Sequence, residues 1–143
     1  TLPAGLSHGD FALRNVLVGD DGRVTVCDTR ARWMTSIYED LGYFLASLRW
    51  SWPQLYTFGL ALDPRLLDRY ERSFVGGYFG TAQPPVAALR VYRLLALLDR
   101  LADEVSRAAD GEAWSAVTRR KVNVALLLRA LRSEMRGGHG AAD

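Results

Sequence analysis

The chain has 143 residues, of which 49% are hydrophobic and 24% are charged, and its formal net charge is +2. This length and composition suffice for one domain with its own hydrophobic core. A charge so close to zero does not indicate a nucleic-acid partner, and no apolar run approaches the roughly 20 residues that a membrane-spanning helix needs. The single cysteine, Cys27, excludes an intrachain disulfide and an all-cysteine metal site. We therefore expect a soluble protein of the reducing cytoplasm.

A short polar motif lies near the start of the chain. Residues 1–7 contain a proline and a glycine and show no periodicity, which predicts a connecting segment. This segment leads into the spacing H-x-D-x-x-x-x-N, formed by His8, Asp10 and Asn15.

Two β-branched runs follow the motif, Val16–Val18 and Val24–Val26, and the turn sequence Gly19–Gly22 separates them. Turn residues between two such runs predict a β-hairpin. Antiparallel pairing would place Asn15 and Asp28, which flank the two runs, side by side. We therefore expect their side chains to share one site; the alternative is a surface hairpin with unrelated polar ends.

The rest of the chain is predicted to be mainly helical, so that the fold class is α+β, mainly α, with a hairpin packed on a bundle of about four helices. Residues 29–36 are predicted to form a loop. Apolar spacing, prolines and glycines predict four helices, from near Tyr38 to Trp50, from Pro64 to Tyr78, from Pro84-Pro85 to Ala109 and from Glu112 to Arg136. Gly76, Gly77 and Gly80 are expected to end the second helix and not to form a nucleotide-binding loop. The third helix is expected to carry one apolar side, formed by Leu89, Tyr92, Leu95, Leu98, Leu101 and Val105.

Asp10, Asn15 and Asp28 form a constellation suited to phosphoryl transfer. In that chemistry a loop carboxylate aligns the acceptor hydroxyl, while hard oxygen ligands hold the magnesium that bridges nucleotide phosphates. Magnesium commonly takes one or two protein ligands beside phosphate oxygens and water. We therefore predict Asp10 as the catalytic carboxylate and Asn15 with Asp28 as magnesium ligands. Each residue alone would be better explained as a turn or cap residue.

Three neighbouring residues are assigned supporting or structural roles. His8 is expected to hold the loop by hydrogen bonds to backbone or to Asp28, and not to act as a base or metal ligand. Cys27 is expected to be a small buried apolar side chain and not a nucleophile. Asp40 either accepts hydrogen bonds from the loop or complements the N-terminus of a helix.

Residues 6–10 and 15–18, the strand-end Asp28 and residues 38–41 together resemble the aminoglycoside phosphotransferase and choline kinase-like superfamily. The resemblance covers residues 6–48. In that family H-G-D-x-x-x-x-N is the catalytic loop, the strand-end Asp binds magnesium, and a later Asp-Leu pair stabilises the loop.

The resemblance implies the C-terminal lobe of a protein kinase-like fold. It implies that Asp10 is the catalytic residue, that Asn15 and Asp28 bind magnesium and the nucleotide phosphates, and that His8 and Asp40 support the loop. The phosphate donor implied is ATP or GTP, and the acceptor is the hydroxyl group of a small molecule.

The family pattern also includes parts that this sequence does not display. Members usually have an aromatic residue after the metal-binding Asp, where this chain has Thr29-Arg30. They also have an N-terminal lobe with a strand lysine that holds nucleotide phosphates, whereas Lys121 follows the motif and no strand is predicted before it. We therefore expect a lobe of a longer kinase, which requires an N-terminal lobe and does not turn over nucleotide alone.

The acceptor is less well indicated than the chemistry. Basic residues outnumber acidic ones in both 30–83 and 84–143, so an aminoglycoside, which is a polycation, is disfavoured relative to a neutral or anionic hydroxylated metabolite. An aromatic cage for a quaternary ammonium group is less expected than core packing for Trp33, Trp50, Trp52 and Tyr56. The alternatives to an enzyme are a non-catalytic kinase-like module that binds a nucleotide or partner, and a purely structural helical domain.

Overall fold

Four helices and two small antiparallel sheets form the described part of the chain, which confirms the predicted mainly helical α+β class. The computed structural model describes residues 2–30, 34–51, 57, 63–106 and 114–136. The strands are β1 (Ala4–Leu6), β2 (Val16–Val18), β3 (Val24–Val26) and β4 (Met34–Ser36). The helices are α1 (Ile37–Arg49), α2 (Pro64–Phe79), α3 (Val86–Ser106) and α4 (Trp114–Arg136), and a single 3₁₀ turn covers Leu13–Asn15.

Strands β2 and β3 form the predicted hairpin. Val16 pairs with Val26 and Val18 with Val24. In the turn, Gly22 has φ = +77° and its N–H donates to the carbonyl of Gly19 over 2.9 Å. Glycine adopts this left-handed conformation without the steric penalty of a Cβ atom, which explains why the turn sequence predicted the hairpin.

The second sheet was not predicted. Ala4 pairs with Ser36 and Leu6 with Met34, so β1 and β4 form an antiparallel pair, and the motif from His8 to Asn15 lies between them in the chain. The predicted connecting segment over 1–7 and the predicted loop over 29–36 are therefore wrong at these positions, and a strand does precede the motif. Each strand has only three residues, and Ala-Gly-Leu has low intrinsic β-propensity, so pairing with a distant segment creates the strand.

The helices begin and end close to the predicted residues. Ser36 caps α1 by accepting the N–H of Tyr38, and Asp63 caps α2 ahead of a proline at the first helical position. Gly80, with φ = +57°, ends α2, whereas Gly76 and Gly77 lie within the helix. The predicted end of the third helix and start of the fourth lie outside the described residues. Within the described ranges, no helix has the length and hydropathy needed to cross a bilayer.

Helix α1 is the centre of the hydrophobic core. Ala46 packs with Leu97 of α3 and Leu127 of α4. Leu41 packs with Leu89 of α3 in a second cluster, and the third cluster contains three α1 residues, Phe44, Leu45 and Leu48. Every cluster thus includes α1, and the other helices are arranged around it.

One predicted helix face is wrong in part. Leu95, Leu98 and Val105 of α3 have relative exposures of 53%, 51% and 59%. The face turned towards α1 carries Leu89, Ala96 and Leu97 instead. Because α3 has apolar residues on more than one side, its periodicity alone does not select the buried side; the contact with α1 does.

A close approach between α1 and α3 gives a first prediction. A Cβ atom on Gly42 would lie 2.6 Å from Cβ of Tyr92 and 2.8 Å from the backbone nitrogen of Arg93. The backbone of α3 cannot yield locally, so we expect Gly42→Ala to lower the free energy of unfolding by about 2 kcal/mol despite the better helix propensity of alanine. Urea unfolding followed by tryptophan fluorescence measures this change.

The matched control is Gly77→Ala in α2. A Cβ atom there would meet nothing within 4 Å. We expect Gly77→Ala to raise stability by up to about 1 kcal/mol, as helix propensity predicts. Equal effects of the two substitutions would contradict the close packing of α1 on α3.

Candidate functional site

Asp40 in the first turn of α1 anchors the loop that contains the motif from His8 to Asn15. Oδ2 of Asp40 accepts the N–H of His8 over 2.6 Å, and Oδ1 accepts the N–H of Gly9 and the hydroxyl of Ser7, each over 3.1 Å. The hydrogen bonds that the sequence predicted from the loop to Asp40 are therefore present. A carboxylate that accepts several hydrogen bonds holds its donors more strongly than a neutral acceptor would.

His8 connects the loop to the end of the hairpin. Its Nδ1 accepts the N–H of Asp10 over 3.3 Å, and its Nε2 lies 3.1 Å from the carbonyl of Cys27. Because a backbone N–H can only donate and a carbonyl can only accept, these contacts select the tautomer with the proton on Nε2. The predicted structural role is thus met through backbone groups, and the hydrogen bond reaches Cys27 and not the side chain of Asp28.

The loop is also packed against the second and third turns of α1. The ring of Phe11 stacks on Phe44 with 4.8 Å between centroids. The N–H of Leu13 donates to Oγ of Ser47 over 2.9 Å. Asp40, Phe44 and Ser47 recur at the spacing of one helix face, so a single side of α1 fixes the whole loop.

Asp10 is buried and contacts two arginines. Its exposure is 4%, its Oδ1 lies 2.5 Å from Nη2 of Arg14, and its Oδ2 lies 3.7 Å from Nη2 of Arg30. Burial lowers the pKa of Arg14, but hydrogen bonds to Tyr43 and Asp10 outweigh this effect and leave its pKa raised. The guanidinium therefore stays charged beside the carboxylate.

Neither arginine was predicted from the sequence to contact Asp10. Arg14 stands four positions after Asp10 within the motif, a spacing that could have suggested contact. Arg30 gave no comparable signal, because it reaches Asp10 only after the N–H of Arg30 donates to the carbonyl of His8 over 2.8 Å.

Asn15 and Asp28 lie at adjoining positions at the open end of the hairpin, as predicted. The N–H of Cys27 donates to the carbonyl of Asn15 over 2.9 Å, which extends the ladder by one rung towards Asp28. The side-chain nitrogen of Asn15 donates to the carbonyl of Asp10 over 2.8 Å, and this turns Oδ1 of the buried amide away from that bond. Among the described residues, neither this Oδ1 nor the carboxylate of Asp28 has a hydrogen-bond or ion-pair partner.

Asp28 has an unusual backbone conformation. Its φ is +60°, and it is the sole non-glycine residue with positive φ in the described ranges. Aspartate tolerates this region better than most residues, but the conformation is strained and is found disproportionately at functional sites. The exposed carboxylate is thus held in a defined place by backbone that is tied to the loop.

The oxygen donors of Asn15 and Asp28 fit a magnesium ion. They are hard ligands, and two protein ligands suffice when phosphate oxygens and water complete the octahedron. A self-sufficient metal centre is not present: no group of three or more His, Cys, Asp or Glu residues in the described part of the chain could hold a metal ion. The arrangement therefore suits a metal that arrives with a phosphate ligand.

Two further residues considered in the sequence, Cys27 and Trp50, make structural contacts. Cys27 is half-buried and not fully buried as predicted, and its thiol lies 3.4 Å from the carbonyl of Asn15. Trp50 packs edge-on against Tyr43 and beneath the guanidinium of Arg100, which is core packing and not a cage. The other predicted cage residues, Trp33, Trp52 and Tyr56, lie outside the described residues.

Comparisons with protein-family models, with curated proteins and with solved structures found no match for this chain. Its function is therefore inferred from the residues themselves. The site combines the buried carboxylate of Asp10, which contacts Arg14 and Arg30, with two further oxygen donors. These donors belong to Asn15 and Asp28 and have no partner among the described residues.

The anchoring role of Asp40 gives a second prediction. Asp40→Ala removes the acceptor for three hydrogen bonds, so we expect a loss of about 2 kcal/mol in the free energy of unfolding. We also expect faster amide hydrogen exchange at His8 and Gly9, with unchanged exchange in the core of α3. NMR-detected hydrogen exchange measures both effects.

Asp20→Ala is the control for this substitution. Asp20 is exposed in the hairpin turn and has no hydrogen-bond or ion-pair partner among the described residues. The Asp20→Ala substitution removes the same charge as Asp40→Ala without removing a contact to the loop. Unchanged exchange at His8 and Gly9 in Asp40→Ala would show that the loop does not depend on this carboxylate.

Proposed function

We propose that this chain is the phosphate-handling lobe of a small-molecule kinase, which transfers the γ-phosphate of ATP or GTP to a hydroxyl group. The observation that carries the proposal is the convergence of three residues on one end of the hairpin. Asp10 is held in a buried loop, and the unpartnered oxygens of Asn15 and Asp28 flank the same backbone. The phosphoryl-transfer template includes a loop carboxylate and two oxygen ligands for the metal, and Asp10, Asn15 and Asp28 are of the residue types that these three roles need.

In this proposal Asp10 aligns the acceptor hydroxyl and receives its proton. Arg14 holds Oδ1 closely at 2.5 Å, whereas the contact of Arg30 with Oδ2 is longer, at 3.7 Å. Oδ2 is therefore the oxygen that remains able to accept a hydrogen bond from the substrate. Arg14 and Arg30 also place positive charge where negative charge develops on the transferred group.

Asn15 and Asp28 would bind the magnesium that accompanies the nucleotide. When bound, the ion neutralises and bridges phosphate oxygens. The chain keeps these two oxygen ligands free of hydrogen bonds from other described residues, so that they are available to the ion. His8 fixes the carbonyl of Cys27 next to Asp28, and Asp40 fixes the loop that carries Asp10.

An N-terminal nucleotide-clamping lobe is the proposed partner. Strands β2 and β3 expose large apolar side chains, with relative exposures of 57% for Leu17, 68% for Val18 and 61% for Val24. Leu6 and Met34 in the second sheet are 67% and 68% exposed. Exposed apolar side chains in both sheets support a surface that another domain covers.

The charges around Asp10 support a neutral or anionic acceptor over a polycation. Arg14 and Arg30 would repel an aminoglycoside at the point where its hydroxyl has to approach. The second candidate function, a module that binds nucleotide without transfer, requires no buried carboxylate. The burial and pairing of Asp10 therefore favour the enzyme.

Metal binding gives a third prediction. Mn²⁺ can replace Mg²⁺ at oxygen sites and broadens nearby NMR signals. We expect Mn²⁺ to broaden the amide signals of Asn15 and Asp28 in this chain, and Asp28→Asn to remove the effect. Asp20→Asn serves as the control, because the carboxylates of the hairpin turn are exposed and do not contact the loop. Broadening centred on that turn in both variants would contradict the assignment of the metal site to Asn15 and Asp28.

Phosphoryl transfer gives a fourth prediction. In the parent protein, with its N-terminal lobe, we expect magnesium-dependent transfer of phosphate from ATP, and we expect Asp10→Asn to lower kcat by about 10²–10⁴-fold. Asp20→Asn should leave kcat unchanged. Nucleotide binding without any transfer would favour the binding module, and full activity of Asp10→Asn would exclude the proposed role of this carboxylate. The 143-residue chain alone should show no turnover.

A further inference from the structure

A second candidate site lies on the other side of α1 from the catalytic loop. It is a cleft of about 710 Å³ lined by residues of all four helices. This volume is within the range typical of small-molecule sites, roughly 300–1,000 Å³. It is not part of the phosphoryl-transfer site proposed above.

The geometry of α1 separates the two sites. Asp40, Phe44 and Ser47 contact the loop, whereas Leu45 and Arg49 line the cleft. Arg49 follows Asp40 by nine positions, which at about 100° per residue places their side chains on opposite sides of the helix. A ligand in the cleft would therefore not contact Asp10.

A buried ionic network forms one wall of the cleft. Glu71 accepts hydrogen bonds from Arg49 and from Arg93, each over 2.7 Å. Arg49 also binds Asp68 over 2.7 Å, and Arg93 binds Glu134 over 2.6 Å. Each of the three carboxylates in the network is thus already paired with at least one guanidinium group.

Two further arginines line the cleft without a carboxylate partner. Arg90 donates to the backbone carbonyls of Glu134 and Met135, and Arg72 is exposed and contacts no hydrogen-bond or ion-pair partner in the described part of the chain. Four guanidinium groups therefore face three carboxylates. One positive charge is left over, which a single anionic group would neutralise.

Apolar side chains lie beside these arginines. Val75, Val86 and Leu89 line the cleft together with Pro84. Val86 is 70% exposed, so its apolar side chain is available to a ligand. A ligand that matches this surface has one negative charge and an apolar body.

We propose that the cleft between the four helices binds a small organic monoanion, with its charged group at Arg72 and Arg90 and its apolar part against Val75, Val86 and Leu89. The proposal goes beyond the kinase function and does not depend on it. A ligand here contacts the side of α1 opposite the loop, so binding and phosphoryl transfer can be tested independently.

The test uses octanoate as the probe and NMR titration of the 143-residue chain as the measurement. We expect amide shifts at Val75, Gly76 and Leu89 and none at Gly9 or Asp10. Octan-1-ol, which has the apolar body without the charge, and acetate, which has the charge without the apolar body, should produce no saturable shifts at these positions. Equal binding of either control compound would overturn the proposal of an amphipathic anion.

Two pairs of variants locate the probe. Arg72→Met should weaken octanoate binding roughly tenfold, because a charge-assisted contact is lost, while Arg69→Met on the same helix removes an equal charge outside the cleft and should have no effect. Gly76→Leu should abolish binding, since a Cβ atom there meets nothing within 4 Å and the side chain would fill the cleft. Gly77→Leu, equally unhindered but not part of the cleft lining, should bind octanoate normally.

Three further outcomes would overturn the proposal. The first is a loss of affinity that is the same for Arg69→Met and Arg72→Met, and the second is unchanged affinity in Gly76→Leu. The third is concentration-dependent dimerisation, measured by sedimentation velocity, that Gly76→Leu abolishes; the cleft would then be an interface between copies of the chain. Because Asp10 and Asp28 are untouched, failure of these tests leaves the kinase proposal standing.

Discussion

The carboxylate of Asp40 accepts hydrogen bonds from three consecutive residues of the loop, and the candidate site depends on this contact more than on any other. It sets the backbone of His8 and Gly9 relative to α1. The imidazole of His8 in turn contacts the carbonyl of Cys27, the residue before Asp28, and so fixes the end of the hairpin relative to the loop. Hydrogen bonds thus connect a helix in the core to the backbone that precedes the surface residue Asp28. Since each link uses a directional donor and acceptor, a displacement at Asp40 would be transmitted to the proposed metal ligands.

Helix α1 can serve this purpose because its sides have different partners. One side carries the loop, a second packs on α3 at the Gly42 contact, and a third faces the cleft. Close packing on α3 leaves the helix little freedom to shift, since interiors are as dense as organic crystals. The rigidity of the site is therefore a property of the core, against which the loop packs through Phe11.

The charged residues form two regions that differ in how their charges are balanced. At the proposed catalytic site a buried carboxylate is balanced by two half-exposed arginines, so the balance can be altered by a substrate. In the cleft, Arg49 remains charged because Glu71 and Asp68 outweigh the effect of its burial, which by itself lowers its pKa. The paired groups there form a fixed wall, and the unpaired arginines at its edge account for the proposed preference for an anion.

The sequence by itself determined the local features of this protein. The Gly19–Gly22 turn, the spacing from His8 to Asn15, the Asp63-Pro64 helix start and the Gly80 helix end depend on the conformations of neighbouring residues, and all occur as the pattern indicates. The tertiary structure decided which segments meet. It made strands of β1 and β4, brought Arg30 to Asp10, exposed the Leu95 side of α3, and opened a cleft between helices. These features arise from contacts between residues far apart in the chain. The sequence shows which residues are apolar or charged, but only the packing of the helices determines which of them come into contact.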